Sequence, residues 1–198
     1  MKIGLIGAGR LGLCLALLMD KAGYSVIASD VREDYINGLQ IGEVTTTEPL
    51  VGQYLDSARR IEFTTDNLRV IEESDIIFTL VLTPSLKNGS YDVSNVDDVV
   101  SDILKYGWDK DLSNKSLVIG CTTNPGDCDF FQDRLSETGI SVFYNPEFIA
   151  QGSIIKDLQN ADMVLLGGDG KHKGNLINIY KKIQYGYKEP SIHLMSTK

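Results

Sequence analysis

Short runs of apolar residues alternate along the chain with longer stretches whose apolar positions recur every three or four residues. Most of the short runs lack strict alternation of apolar and polar positions, which is typical of parallel strands buried on both faces. The runs that are predicted to be strands are residues 2–6, 25–29, 61–63, 75–82, 116–120, 140–144 and 162–166.

Helical patterns occupy several of the intervals between these strands. An apolar stripe runs from Leu11 to Ala22, and residues 94–97 have the form of a capping box followed by a second stripe. A third helix is predicted to begin near Gly126, and a fourth covers residues 175–183. Strands that alternate with helices predict an α/β fold, with a doubly wound, mainly parallel sheet and helices on both faces.

Composition and charge exclude several classes of protein. The chain has 198 residues, a length that predicts one domain with its own core. Its 27 acidic and 19 basic residues give a net charge of −8, with no basic block of the kind that neutralises phosphates, so we expect no nucleic-acid partner. The longest apolar stretch, residues 11–19, is too short to span a membrane, so no membrane partner is expected.

The N-terminal residues loosely resemble a signal peptide, but Arg10 and several glycines interrupt the apolar run. The three cysteines, at positions 14, 121 and 128, have neither the paired spacing of a metal site nor the even number of a disulfide framework. We therefore expect a cytoplasmic protein without a metal site.

The first predicted strand runs directly into a glycine-rich turn. Residues 7–12 read Gly-Ala-Gly-Arg-Leu-Gly, a G-x-G-x-x-G pattern between a strand and a helix. Gly7 permits a tight turn, Gly9 leaves room for a pyrophosphate, and Gly12 lets the helix pack closely on the strand. Free backbone N–H groups at the helix start would hold the pyrophosphate. The turn residues Gly7, Gly9, Arg10, Leu11 and Gly12 are therefore candidate cofactor-binding residues in a Rossmann-like fold.

Asp30 ends the second predicted strand, 18 residues after Gly12, which is close to the spacing of a ribose-binding carboxylate. Such a carboxylate accepts hydrogen bonds from the ribose hydroxyls and repels a 2′-phosphate, so NAD is favoured over NADP. Arg32 is a counterargument, because a nearby arginine can hold that phosphate. A plain tight turn with a surface aspartate is the alternative interpretation.

Four further segments follow in order, and together they resemble motifs of one family. They are residues 37–50 with Glu48 before Pro49, Leu82-Thr83-Pro84, residues 121–126 (Cys-Thr-Thr-Asn-Pro-Gly) and residues 145–152 (Asn-Pro-Glu-Phe-Ile-Ala-Gln-Gly). These are similar to "L-x-x-G … E-P-x-L", "T-P", "S-T-V-x-x-G" and "N-P-E-F-L-R-E-G" of the UDP-glucose/GDP-mannose dehydrogenase family. Residues 1–166 therefore resemble its N-terminal NAD-binding half.

This resemblance implies roles for three polar residues. Thr83 would contact the ribose on the nicotinamide side, whereas Thr122 and Glu147 would hold a water, serve the proton transfers and lie beside the cofactor. All three follow predicted strands, where open α/β sheets bind ligands. Alternatively, Thr83 belongs to a strand-ending turn before proline, and Glu147 is a helix-capping or surface carboxylate.

The sequence departs from the family pattern at two of these segments. Ala150 and Gln151 replace the arginine and glutamate of "L-R-E-G", and Cys121 and Thr123 replace the serine and valine of "S-T-V". The departures place in doubt which sugar nucleotide is recognised, and they leave the cofactor residues untouched.

The resemblance implies a reaction that this sequence supports only in part. The family oxidises the C6 alcohol of a nucleotide sugar to a carboxylate, as for UDP-glucose, through a cysteine in a "G-G-x-C-x-x-K-D" motif. That motif is not found in these residues, and Cys121 is a weak substitute. We expect residues 1–198 to be the NAD-binding domain, residues 186–198 to lead toward a central helix and second domain, and this piece to be inactive alone. The full-length protein is expected to be a homodimer through that helix, and this piece a monomer.

Other functions remain open at this point. A free-standing Rossmann module that binds NAD and regulates a partner belongs to a different class. A dehydrogenase of small hydroxy acids and a methyltransferase are further alternatives, although the "N-P-E-F" and "T-P" segments speak against both.

Overall fold

Within residues 1–189 and 191–197, which the computed structural model describes, eight strands form one sheet in the order β3-β2-β1-β4-β5-β6-β7-β8. The strands are β1 (Lys2–Ile6), β2 (Ser25–Ser29), β3 (Ile61–Thr64), β4 (Ile76–Thr79), β5 (Ser116–Ile119), β6 (Ser141–Tyr144), β7 (Val164–Gly167) and β8 (Ile192–Met195). The helices are α1 (Arg10–Lys21), α2 (Glu33–Gln40), α3 (Val51–Ser57), α4 (Asn67–Glu73), α5 (Ser94–Tyr106), α6 (Asp127–Leu135), α7 (Ile154–Gln159) and α8 (Lys173–Ile183), with a 3₁₀ turn at Ser136–Thr138.

The first six strands are parallel, and the strand order reverses between β1 and β4. Both β2 and β4 pair with β1, so the loops that leave β1 and β4 separate above the carboxyl edge of the sheet. Strand β7 runs antiparallel to β6, and β8 runs parallel to β7. This is the predicted doubly wound, mainly parallel fold, and its point of reversal is where such sheets bind ligands.

Alternate residues of each central strand enter two separate cores. In β4, Ile76 and Phe78 face the core beneath α1, α7 and α8, whereas Ile77 faces the core beneath α4, α5 and α6. Because both faces of the strand are covered, both sets of positions are apolar, and the sequence shows a continuous apolar run. The absence of alternation noted in the sequence therefore has a direct structural cause.

Helix α1 lies against the middle of the sheet and is buried along most of its length. Its buried residues run without interruption from Gly12 to Asp20. Asp20 is the polar member of this set, and its Oδ1 accepts hydrogen bonds from the backbone N–H groups of Arg59 and Arg60 at 3.1 and 2.5 Å. The helix is thereby tied to the corner that precedes β3.

The structure corrects some of the predicted elements. The prediction of a capping box at residues 94–97 was wrong, because no side chain caps the start of α5. The Asp92 carboxylate instead accepts a hydrogen bond from the Ser94 N–H. The strand predicted over residues 75–82 is shorter and ends at Thr79. Helices α2, α3, α4 and α7 and strand β8 were not predicted. Part of the predicted segment 186–198 lies outside the described residues, at positions 190 and 198.

Candidate cofactor and catalytic site

A cavity of about 800 Å³ opens at the point of reversal between β1 and β4. It brings together residues that are widely separated in sequence, and eight of the nine predicted site residues line it. These are Gly7, Gly9, Arg10, Leu11, Asp30, Thr83, Thr122 and Glu147, whereas Gly12 lies behind the loop. An elongated polar ligand can therefore contact all of these segments at once.

The glycine turn has the geometry that its spacing predicts. Gly7 has a φ of +100°, and a Cβ there would lie 2.7 Å from the backbone of Leu80. A Cβ at Gly12 would lie 2.0 Å from the carbonyl oxygen of Gly7, so only glycine allows α1 to start so close to the turn. A Cβ at Gly9, in contrast, would meet no atom within 4 Å and would point into open space. The fold itself therefore does not require a glycine at position 9.

The start of α1 presents N–H groups that could donate hydrogen bonds to an anion. The N–H groups of Gly7 and Ala8 donate hydrogen bonds to the Ser29 carbonyl at 2.9 and 2.8 Å, and the Leu13 N–H donates to the Gly9 carbonyl. The N–H groups of the first helical turn, from Arg10 to Gly12, lack intrahelical acceptors by the geometry of any helix start. Because the positive end of the helix dipole lies at the same place, a pyrophosphate fits this cradle.

Asp30 lies at the end of β2, where Arg32 already holds it. The Arg32 guanidinium donates to both carboxylate oxygens of Asp30 at 2.8 Å, and the Arg32 backbone N–H donates at 3.1 Å. Burial acts to raise the pKa of Asp30, but the hydrogen bonds and charge of Arg32 outweigh it and lower that pKa. Arg32 in turn stacks on the ring of Tyr35, with 4.2 Å between its guanidinium carbon and the ring centroid.

Two exposed apolar side chains line the cavity. Val31 is 86% exposed and Leu82 is 81% exposed, and both line the cavity walls. Apolar surface at the mouth of a polar cleft suits a planar aromatic ring such as a nucleotide base. Thr83 follows Leu82 in the loop after β4 and is half-buried.

The loop after β5 contributes Cys121 and Thr122. Thr122 is exposed and faces the cavity, whereas Cys121 is buried beside it. Burial raises the pKa of the Cys121 thiol to about 12, so the thiol is protonated at neutral pH and is a poor nucleophile. The pKa values of Cys14 and Cys128 are raised for the same reason, to about 12 and about 11.

Glu147 follows β6 and lines the cavity. Its Oε1 lies 2.6 Å from the hydroxyl of Tyr180 in α8, and the same hydroxyl contacts Oδ1 of Asn145. Glu147 is half-buried, and enclosure by protein raises the pKa of its carboxyl group to about 7, an effect that the Tyr180 hydrogen bond opposes. A carboxyl group that titrates near neutral pH is well suited to proton transfer.

Residues on two loops connect the cavity to more distant parts of the chain. Arg10 donates a hydrogen bond at 2.8 Å to Oε1 of Gln151, which joins the glycine turn to the loop after β6. The Glu48 carboxylate, which is buried, accepts from the N–H of Gly152 at 2.8 Å and of Ile154 at 3.3 Å. Glu48 therefore fixes the loop that carries Glu147 and Gln151.

The sequence did not reveal Tyr180 as part of the site. It lies on the buried stripe of α8, where a tyrosine looks like a core residue. Asn67, Asn95 and Asp98 also line the cavity and were not predicted. A tyrosine in an apolar stripe needs a partner for its hydroxyl, and that requirement is the one sequence feature that points to Tyr180.

Strand order, glycine turn and acidic residue define the class of proteins with a dinucleotide-binding Rossmann-type domain. The model of the UDP-glucose/GDP-mannose dehydrogenase family, NAD binding domain, matches residues 1–184. The chain belongs to this family, and its cofactor is NAD.

Similar proteins include UDP-glucose 6-dehydrogenase of Rhizobium meliloti, which is 31% identical over 86% of this chain and 40% of that protein. GDP-mannose 6-dehydrogenase of Pseudomonas aeruginosa is 28% identical over 92% of this chain and 44% of that protein. A solved ternary complex of GDP-mannose dehydrogenase from Pseudomonas aeruginosa superposes on the whole chain with a TM-score of 0.85 at 27% identity, over 47% of its own length. The chain thus spans less than half the length of these relatives. In the part of the chain that the structure describes, no helix is long and apolar enough to cross a membrane.

Proposed function

We propose that this chain forms the cofactor half of an NAD-dependent nucleotide-sugar 6-dehydrogenase, an enzyme that oxidises a sugar C6 alcohol to a carboxylate. The observation that carries the proposal is the single cavity in which the glycine turn, Asp30, Thr83, Thr122 and Glu147 meet. The named relatives that act on UDP-glucose and GDP-mannose support a nucleotide sugar as the substrate class. A cytoplasmic location and a homodimeric full-length enzyme are further parts of this proposal.

The residues present fit NAD along the length of the cavity. The N–H groups at the start of α1 would hold the pyrophosphate, Asp30 the adenosine ribose and Thr83 the second ribose. When bound, the nicotinamide would accept the hydride from the substrate carbon. Asp30 follows β2, whereas Thr122 follows β5 and Glu147 follows β6. Along the carboxyl edge of the sheet, Asp30 and this pair therefore lie on opposite sides of the glycine turn that follows β1.

Glu147 supplies the acid–base chemistry in this proposal. Because the pKa of its carboxyl group is raised to about 7, it can take a proton from an alcohol or a water and return it near neutral pH. Thr122, exposed in the cavity, offers a hydroxyl that can orient that water. Cys121 is not assigned the role of nucleophile, because its buried thiol stays protonated.

A substitution at Gly9 separates cofactor binding from folding. A Cβ there meets no protein atom within 4 Å and the backbone φ is −67°, so Gly9→Ala should leave stability unchanged. The same methyl group would project into the proposed pyrophosphate site, so NAD affinity should fall at least tenfold, about 1.4 kcal/mol, in isothermal titration calorimetry.

Gly174→Ala is the matched control, because its Cβ also meets nothing within 4 Å and Gly174 is not among the residues that line the cavity. It should bind NAD as the wild-type chain does. Equal NAD affinity in the Gly9→Ala and Gly174→Ala variants would contradict the assignment of the turn.

Binding and turnover should also separate in this chain. The 198 residues carry the residues proposed to bind NAD and lack the family's "G-G-x-C" nucleophile motif, so the chain should bind NAD without oxidising UDP-glucose or GDP-mannose. An assay of NADH formation beside the calorimetry measures both. NADH formation that disappears in Cys121→Ser would show that the nucleophile lies in this chain after all.

A further inference from the structure

Oxygen atoms from three side chains form a hydrogen-bonded row that ends at Glu147, which lines the cavity. The hydroxyl of Tyr180, which is 1% exposed, stands between Oδ1 of Asn145 and Oε1 of Glu147 and is within hydrogen-bonding distance of both. The distance from the hydroxyl oxygen to Glu147 Oε1 is 2.6 Å. Contacts this short between oxygen atoms require a proton in each.

The orientation of the Asn145 amide is fixed from its other side. Its Nδ2 donates a hydrogen bond at 3.0 Å to the backbone carbonyl of Leu165 in β7, and a carbonyl can only accept. Its Oδ1 therefore faces Tyr180 and serves as an acceptor. Asn145 is buried, so it has little access to water as an alternative partner.

Counting protons in this row gives a definite result. Two oxygen–oxygen contacts need two protons, the Tyr180 hydroxyl has one, and the Asn145 oxygen has none. We propose that, on the acid side of its titration, Glu147 of the ligand-free chain is a carboxylic acid that donates a hydrogen bond to the Tyr180 hydroxyl, which in turn donates a hydrogen bond to Oδ1 of Asn145. Tyr180 is then a positioning residue: its hydroxyl donates to Asn145 and so can only accept a hydrogen bond from Glu147.

The surroundings of Glu147 agree with this assignment. Burial raises the pKa of Glu147 to about 7, and the hydrogen bond to Tyr180 acts in the opposite direction. The titratable side chains that face the cavity from the other elements are Arg10, Asp30, Arg32, Asp98 and Cys121. The pKa of Tyr180 is raised well above its usual value, so the tyrosine keeps its proton throughout.

Ionisation of Glu147 must then reorganise the row. When the O–H bond of Glu147 breaks and its proton passes to water in the cleft, the Tyr180 hydroxyl turns from Asn145 to the new carboxylate. The carboxylate gains a strong hydrogen bond, and the Asn145 oxygen loses its donor. This inference deepens the proposed function, because it concerns the state in which Glu147 can act as a base. Only the catalytic meaning of this inference rests on the proposed function; the protonation states themselves do not.

The test uses the ligand-free chain and two spectroscopic signals. Infrared absorption of the protonated carboxyl group, assigned by its loss in Glu147→Gln, reports on Glu147. The NMR shift of the phenol Cζ, assigned by its loss in Tyr180→Phe, reports on Tyr180. Between about pH 5 and about pH 9, both signals should change with one shared midpoint near 7. A Glu147 that is already ionised at the lower limit, or a Tyr180 signal that does not follow it, would overturn the proposal.

The Glu147→Gln variant gives a second reading. Its amide donates a hydrogen bond at every pH, so the Tyr180 shift should stay at its low-pH value throughout. A Tyr180 shift that still titrates near 7 in this variant would contradict the proposal. Tyr144→Phe, which removes the hydroxyl of another half-buried tyrosine of the same sheet edge, is the control and should leave the shared midpoint unchanged. No NAD is present, so failure here is distinct from failure to bind the cofactor.

Discussion

In the proposed cofactor site, the choice between NAD and NADP would depend on two side chains, Asp30 and Arg32. Asp30 offers the carboxylate that a ribose needs, but Arg32 holds both of its oxygens at 2.8 Å. A carboxylate has about four lone-pair sites, so ribose hydroxyls can still bind beside the guanidinium. A 2′-phosphate would instead compete with Asp30 for Arg32. In the proposed cofactor site, the carboxylate would therefore both bind the ribose and withhold the arginine from a phosphate.

Substitutions at these two residues should change cofactor preference in opposite ways. Asp30→Ala should weaken NAD binding by about 1–3 kcal/mol, the usual effect of losing a hydrogen bond to a charged group. It should improve NADP relative to NAD, since it frees Arg32 and removes the repulsion. Arg32→Ala should weaken NADP more than NAD.

Calorimetric titration of both variants with both dinucleotides measures these preferences. A wild-type chain that prefers NADP would refute the interpretation of Asp30.

At the scale of elements, a single buried carboxylate joins two segments that are far apart in sequence. Glu48 lies before α3, yet it accepts backbone N–H groups at the start of α7. The N–H groups of a first helical turn lack intrahelical partners, so this carboxylate acts as a cap supplied from a distant loop. The loop from Asn145 to Ser153 is thereby fixed at both ends, at β6 and at α7.

Glu48→Ala should destabilise the fold by about 2–3 kcal/mol, because it leaves the N–H groups of buried Ile154 and of Gly152 without their acceptor. Glu48→Gln, which keeps an acceptor oxygen without the charge, should cause a smaller loss. Urea unfolding of the two variants measures the difference. Equal stability of the Ala variant and the wild-type chain would show that Glu48 does not hold the loop.

The sequence predicted the elements whose patterns are local. Periodicity predicted α1, which the structure confirms, and the glycine spacing together with Asp30 predicted the turn that we propose as the cofactor site. Short helices such as α3 and α7 have too few residues to show a stripe, and α7 depends on a cap from a residue outside its own segment. The contact of Tyr180 with Glu147 joins α8 to the loop after β6, and no local pattern encodes such a pairing.

For the whole molecule, the proton held by Glu147 should appear in the pH dependence of stability. The pKa of the folded chain's Glu147 is about 7, against an ordinary value near 4.5 in the unfolded chain. Between these values the folded state binds a proton that the unfolded state has released, so stability from this group falls as pH rises. Asp30 acts in the opposite direction and at lower pH, because its pKa is lowered.

Urea unfolding free energies measured across this window should decline with pH in the wild-type chain and less so in Glu147→Gln. The difference between the two slopes isolates the contribution of Glu147 from the growing net negative charge. A constant difference across the window would show that Glu147 has its ordinary pKa in the fold.

The burial of α1 has a further consequence for the energetics of ligand recognition. Since the helix is enclosed from Gly12 to Asp20, the turn before it cannot open without disrupting the larger of the two cores. Amide hydrogens of α1 should therefore exchange only through global unfolding. The turn that is proposed to hold the pyrophosphate is thus fixed before any ligand arrives, so little conformational entropy should be lost there on binding. Ordering on binding then falls to the loop after β4, and this is the segment in which ligand-induced protection should be greatest.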